Sequence, residues 1–372
     1  MMRLATFNVE NFFERVKIMN RGDWNQSKPV LEDYQKLTDI IQKPVYSTAD
    51  KATLITIMKK YPGLLTNGDS EFIRLRENRG KLVRTQGGQR VIAANGRGDW
   101  IGWFELKKEP VKEAAMVNTA RVIKAVDADV LGIVEAEDRT GLLEFNDIVL
   151  PQVGATPYVH VMLIDGNDER GIDVGLMARA PFAIETMRSH VDDRNAQGGR
   201  IFSRDCAEYH IPLPGGKTLL VMMNHLKSKG FGTQADSNAR RKAQAQRARE
   251  VYEERKQQGF THVAIMGDMN DTPDSDPLQP LLGAGSDLKD VFTHPSFDNQ
   301  GRPGTHGNCT ASGKLDYILL SPTLFGVVTH GSVERHGAWG GTNGTLWPHF
   351  PEVVTVVDAA SDHVAVWVEV SI

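Results

Sequence analysis

The chain has 372 residues, 40% of them hydrophobic, enough to bury a full core in one large α/β domain or two ordinary ones. Its formal charge of -4 excludes the global basic field that draws in nucleic acid without specificity, so any polyanion has to be met by local groups. Two cysteines, Cys206 and Cys309, exclude a multi-bridge scaffold and argue against a cysteine-built zinc site, while one disulfide between them stays open. No apolar run approaches the roughly 18 residues of a membrane span and the start carries no apolar leader, so a soluble, cytoplasmic protein is expected.

The first predicted strand runs from Arg3 to Val9, and its alternation puts Asn8 and Glu10 on one side and Phe7 and Val9 on the other. From Glu14 to Pro110 the strand–helix rhythm breaks, and the stretch reads as an insertion. Its first half is predicted helical over Pro29 to Gln42 and Thr48 to Tyr61. Its second half is predicted as hairpins, with Gly80, Gly87-Gly88, Gly96 and Gly98 as turn signals. The insertion holds Trp24, Trp100 and Trp103 and a cluster of Arg74, Arg76, Arg79, Lys81, Arg84, Arg90 and Arg97. The tetrad Arg-Gly-Asp-Trp occurs at Arg21 to Trp24 and again at Arg97 to Trp100, too short to be a structural repeat.

Beyond the insertion a helix is predicted over Val111 to Val126, then an apolar strand, Val130 to Val134, that terminates on Glu135. A hard cation such as magnesium takes oxygen ligands, so a carboxylate at a strand end suits it. Glu137 and Asp138 lie close enough to compete for that role. Strands follow over Val159 to Ile164 and Val174 to Ala178, separated by Asp168-Glu169-Arg170-Gly171-Ile172-Asp173. In that turn Arg170 is a phosphate candidate and Asp173 a candidate to orient a histidine. The strand Leu219 to Asn224 leads into His225, a possible donor or general acid beside a phosphate. A helix over Ser237 to Lys256, closed by Gly259, contributes Arg240, Arg241, Lys242, Arg247 and Arg249.

The sharpest signal is the strand Val263 to Met266 running into Gly267-Asp268-Met269-Asn270. The glycine permits close backbone approach, and the alternate positions aim Asp268 and Asn270 into one space: one takes a proton or orients water, the other donates an amide hydrogen bond to a phosphate oxygen. Lys314-Leu315-Asp316 opens the strand Tyr317 to Leu320, and Ser361-Asp362-His363 opens Val364 to Val370. Adjacent residues on a strand face opposite ways, so the carboxylate that orients His363 is expected from elsewhere, with Asp316 as the candidate.

Taken in order, these segments resemble the endonuclease/exonuclease/phosphatase superfamily, which includes apurinic endonucleases, pancreatic-type deoxyribonucleases, sphingomyelinases and inositol polyphosphate 5-phosphatases. The resemblance covers residues 1–13 and roughly 112–372. It implies a four-layer α/β sandwich, two central mixed sheets flanked by helices, with residues 1–13 and 111–372 as the catalytic domain and 14–110 as the insertion after the first strand. It also implies Mg2+, with Mn2+ or Ca2+ as substitutes, on Glu135, with Asn8, Glu10 and Asp362 in or near its shell. His363, held by Asp316, is then the base that activates water, and Asp268 is the rival. Asn270 and His225 hold phosphate oxygens, with Asp173 orienting His225. One departure is Val134, where many members carry glutamine before the metal glutamate.

The activity expected is hydrolysis of a phosphodiester in nucleic acid, tracked by the arginines and tryptophans of the insertion and the basic helix. A phosphatase or phospholipid-headgroup phosphodiesterase is the alternative, with the glycine- and tryptophan-rich segment from His336 to Pro351 as a lid. A catalytically inactive binding module would have lost Glu135, Asp268, Asn270 or His363, and the chain keeps all four.

Overall fold

The computed structural model describes residues 1–10, 12, 14–18, 24–168, 170–229 and 233–372. Arg21 to Asp23 of the first tetrad, the side chain of Trp24, and Glu169 lie outside the described residues. The chain divides into two compact units: Met1–Phe13, Val111–Lys229 and Gln234–Ile372 form one, and Glu14–Pro110 with Gly230–Thr233 the other.

In the first unit two mixed sheets stack. The seven-stranded sheet runs, edge to edge, Phe297–Asp298, Val328–Glu334, Ala365–Val370, Met2–Asn8, Val130–Ala136, Asp173–Ala178 and His160–Ile164. The six-stranded sheet runs Thr186–Arg188, Cys206–Leu213, Lys217–His225, His262–Asp268, Asp316–Leu320 and Lys289–Asp290. Parallel neighbours need a crossover. The parallel pair Lys217–His225 and His262–Asp268 is joined through the helix Gln234–Gln257, and the helix Glu113–Val126 precedes the strand that lies parallel to Met2–Asn8.

Alternation along the strands builds the layers. Leu4, Val130 and Val134 share one buried cluster with Val221, Met223, Ala264 and Met266 of the other sheet, filling the space between the sheets. The intervening Ala5, Leu131 and Ile133 pack instead with Ala120, Val122 and Ile123 of the helix Glu113–Val126. Met222 and Ile265 pack with Ala245, Ala248 and Val251 of the helix Gln234–Gln257. Helix, sheet, sheet, helix is the four-layer sandwich, and strands buried on both faces explain their nearly unbroken apolar runs.

Cys206–Leu213 is a central strand that the sequence conceals, because Glu208, His210 and Pro212 interrupt its pattern. Glu208 is fully buried there, held by Arg255 at 2.5 Å and by His190 at 2.7 Å, so a tertiary ion pair overrides local polarity. Arg255 is one of several basic groups of the long helix that serve the fold. Arg241 is completely buried against Asp271, Arg247 pairs with Asp193 and Glu254, and Arg249 with Glu253. The basic helix expected to track a phosphate backbone therefore spends most of its cations internally. Cys206 and Cys309 are both free and buried. Among the described residues no helix is long and apolar enough to cross a membrane.

The second unit has a core of its own, with Leu31, Leu37, Ile41, Leu54, Met58, Trp100 and Phe104 at its centre. Its longer helices are Trp24–Ile41 and Thr48–Lys60, the latter started by a reciprocal cap between Ser47 and Asp50. Ile73–Arg79 pairs with Ile101–Leu106, and Val83–Gln86 turns back onto Gln89–Ile92 through Gly87 and Gly88, at φ of 58° and 77°. Two expectations fail here. Trp100 is 1% exposed, its indole bonded to the Tyr46 hydroxyl, so it is a core residue and no platform for a base. Arg74 and Arg76 both pair with Glu105, leaving less free charge than a count suggests. Trp103, at 47% exposure, is the tryptophan of this unit that faces solvent among those described.

Candidate active site

Three neighbouring strands of the six-stranded sheet end level with one another: His225 is paired in register with Asp268, and Asp268 with Asp316. In the other sheet Asn8 ends its strand opposite Val134, one residue before Glu135. Asn8 links the sheets, its amide donating to Glu135 Oε1 at 3.2 Å and to Asp268 Oδ2 at 3.3 Å while its oxygen accepts from the Glu10 N–H at 3.0 Å. Asn8 is thus presented as the residue that fixes Glu135, with its oxygen turned to the backbone.

The backbone around this junction is unusual. Glu10, Glu135 and Asn270 adopt φ of 51°, 68° and 54°, left-handed conformations that cost a non-glycine residue about 1 kcal/mol or more and gather at functional sites. Gly267 sits at φ 129°, and a Cβ there would lie 2.0 Å from the Asn224 carbonyl oxygen, so glycine is obligatory where the strand delivers Asp268.

His363 Nδ1 lies 2.7 Å from Asp316 Oδ2, and its Nε2 faces Asp268 Oδ2 at 4.0 Å and Asp362 Oδ1 at 3.8 Å. The strand begins at Ala365, so Asp362 and His363 precede it and face a common space. The expectation that they diverge held only for regular strand geometry. Asp362 also accepts from His306 at 3.2 Å, while its N–H donates to Glu10 Oε2 at 3.2 Å.

His225 Nε2 stands 3.6 Å from Glu135 Oε1 and 3.7 Å from Asp268 Oδ2. Asp173 does not orient it: among the described residues His225 Nδ1 has no hydrogen-bond partner, and Asp173 Oδ1 accepts from Gly166 N–H at 2.8 Å while its Oδ2 is also without one. The cause is local, since Asp173 closes the turn beginning at Gly166 where the strand register shifts. Arg170 is a bidentate partner of Asp168, at 2.9 and 2.7 Å. Asn270 commits its amide to Leu226 O and Asp268 Oδ2, both at 3.1 Å, so donation to a phosphate requires exchanging one of these bonds.

Electrostatics separate the two histidines. Burial lowers the proton affinity of His363, but Asp316, Asp362 and Asp268 outweigh it and leave the net value well above the ordinary one. His225 is pushed well below its ordinary value, first by burial and then by Arg204 and Arg170, which keeps the imidazole neutral near pH 7. That makes it an N–H or lone-pair partner and a poor reservoir of acid protons. Asp268 is raised by burial and by the neighbouring carboxylates of Asp316 and Glu135.

Two residues escaped the sequence reading. Arg204, 2% exposed, meets Asp168 at 2.8 Å without hydrogen-bond geometry, and burial lowers its proton affinity against the opposing pull of Asp168, Glu135 and Asp268. Its surroundings, Ser203-Arg204-Asp205, read as an ordinary polar turn. His306 lies against Asp362 and His363, in a Thr-His-Gly segment whose relevance appears only once it pairs with the segment before the last strand.

Three groups of side chains bring ligand atoms within 4.8 Å of one another: Glu135, His225 and Asp268; Asp268, Asp316 and His363; and His306, Asp362 and His363. Glu10, Glu135 and Asp362 form no such trio among the described residues. They are strung together through Asn8 and the backbone of Asp362.

A model of the Endonuclease/Exonuclease/phosphatase family matches residues 103–363. The chain belongs to that family, whose members include nucleases and phosphatases and are typically metal-dependent hydrolases of phosphoester bonds. No curated protein matches. Similar solved structures include a mannosyl-6-phosphatase of Bacteroides thetaiotaomicron, at 18% identity over 70% of this chain and 92% of that one, TM-score 0.48. Truncated TDP2 of Caenorhabditis elegans is similar at 17% identity over 68% and 88%, TM-score 0.47. The human Nocturnin catalytic domain is similar at 15% identity over 71% and 89%, TM-score 0.49.

Proposed function

We propose that the chain is a Mg2+-dependent phosphodiester hydrolase acting on nucleic acid, with water activated by His363. The carrying observation is the 2.7 Å contact between His363 Nδ1 and Asp316, which fixes the ring with Nε2 turned to the space shared with Asp268 and Asp362.

Glu135, Glu10 and Asp362 offer the carboxylate oxygens that a hard divalent cation takes, linked through Asn8 and the Asp362 backbone rather than gathered into one cluster, and the Glu135 side chain keeps 21% exposure. When bound, Mg2+, or Mn2+ or Ca2+ in its place, offsets charge on the phosphate oxygens. His363 accepts a proton from water at Nε2 once it has lost its own, so its raised value places turnover on the alkaline side of the ordinary histidine range, and the charge it gains is balanced by Asp316. Asp268 is the competing acceptor, since its raised value brings it nearer to working pH. His225, neutral and facing Glu135 and Asp268, holds a phosphate oxygen rather than supplying the leaving-group proton. Asn270 keeps Asp268 in place through its side chain and its backbone N–H, the latter at 2.8 Å.

Magnesium-dependent cleavage of a chromogenic diester is the first test, and turnover that survives His363→Ala sinks this assignment. A panel of plasmid DNA, single-stranded RNA, abasic duplex and inositol phosphates tests the substrate, and silence on every nucleic acid defeats the nuclease reading. A compact phosphate ester or lipid headgroup is the second reading, favoured by the internal pairing of Arg74, Arg76, Arg241, Arg247 and Arg249. Trp339 and His349 stack at 5.2 Å within the segment assigned as its lid.

A further inference from the structure

We propose a second metal site of different chemistry, formed by His306, Asp362 and His363, that takes a borderline cation of the Zn2+ class and switches the enzyme off by occupying the base. The inhibitory consequence rests on the reading of His363 as that base, whereas the binding site rests on geometry alone.

Three separations define it. His306 Nε2 lies 3.2 Å from Asp362 Oδ2, His363 Nε2 lies 3.8 Å from Asp362 Oδ1, and the three ligand atoms sit within 4.8 Å of one another. Ligands at about 2.0–2.1 Å from a tetrahedral zinc stand roughly 3.3 Å apart, so small side-chain rotations close the triangle. Two imidazoles and one carboxylate, with a fourth position left to water, favour zinc over magnesium, which prefers an all-oxygen shell.

The site is built rather than accidental. Asp316 accepts from His363 Nδ1 at 2.7 Å, which turns the Nε2 lone pair outward in the carboxylate–histidine arrangement that supports metal-binding imidazoles. The two ligand segments are pinned to each other by backbone bonds, Val364 N–H to Thr305 O at 2.8 Å and Gly307 N–H to Asp362 O at 2.9 Å. The rings of His306 and His363 lie 4.7 Å apart. The side chains of His306 and Asp362 are 39% and 49% exposed, so an ion reaches them from solvent while the third ligand waits behind at 8%.

The two sites share Asp362 and are told apart through His306, which belongs to the zinc site alone. Protein stripped with a chelator is titrated with Zn2+ calorimetrically and with Co2+ while visible absorption is recorded. The wild type is expected to bind one such ion with tetrahedral Co2+ bands, and zinc should raise its Tm. His306→Ala should weaken zinc binding by at least about tenfold and abolish the bands, while leaving enough magnesium-supported turnover for its inhibition to be measured. It should also shift zinc inhibition of that turnover to at least about tenfold higher concentration. His306→Asn serves if the alanine variant melts early. Zinc binding by both variants that equals the wild type overturns the site, and zinc that activates overturns its inhibitory role. If Co2+ binds through His306 but the chain hydrolyses no phosphoester, the metal site stands and the catalytic reading falls. If diesters are cleaved and zinc binding ignores His306, the reverse holds.

Discussion

Asp316→Asn isolates the proposed dyad with little change of shape. The asparagine carbonyl oxygen can replace Asp316 Oδ2 at 2.7 Å from His363 Nδ1, but the charge that balances a protonated ring is gone. In a buried histidine–carboxylate pair of another enzyme class this change costs about 10^4 in kcat. Asp268, 4.0 Å from His363 Nε2, offers a second acceptor here, so the expected loss is about 10^3, equivalent to ~4 kcal/mol of transition-state stabilisation. Stability should not follow activity. Among the described residues Asp316 Oδ1 has no hydrogen-bond partner, and the Asp316 charge raises its neighbour Asp268, so removing it relieves repulsion between buried carboxylates. The acidic limb of the rate profile should move to lower pH, because Asp316 is the leading carboxylate holding the His363 value up against burial. Single-turnover rates on a chromogenic diester, with Tm from circular dichroism, measure both quantities. Turnover within tenfold of wild type at unchanged Tm would refute the dyad.

Gly267→Ala should cost at least about 3 kcal/mol in urea unfolding and displace Asp268, because its Cβ would meet the Asn224 carbonyl at 2.0 Å; a loss under 1 kcal/mol would contradict the close approach. Chelation should abolish turnover, Mg2+ should restore it, and Glu135→Gln should leave it unrestored in the same assay. The buried network of His190, Asp193, Glu208, Arg247 and Arg255 sets a pH dependence of stability. Burial lowers His190, but Glu208 and Asp193 raise it to a net value above 6.5, so its contribution is full below the unfolded value and lost as pH rises through the folded one. Burial raises Glu208, but His190 and Arg255 bring it down to about 2, so its contribution is present above 4.5 and lost as pH falls toward 2. Tm should therefore fall more steeply from pH 6 to pH 9 in wild type than in His190→Asn, and equal slopes would remove His190 from the account.

Local chemistry by itself determined the strands buried on both faces, the two long helices flanking them and the polar residues at their ends. An apolar run that stops on Glu135, His225 or Asp268 is legible because period and burial are properties of a short window. The layered fold followed from those elements and from motif order. Tertiary structure alone decided which polar groups remain available. Arg241 and Trp100 looked like surface for a ligand and are core, because their partners Asp271 and Tyr46 come from distant segments. It also undid the pairing of Asp173 with His225, through a turn in which Gly166 takes the Asp173 carboxylate. His306 reached the site by a backbone bridge to His363, a contact between segments far apart in the chain that no local pattern encodes.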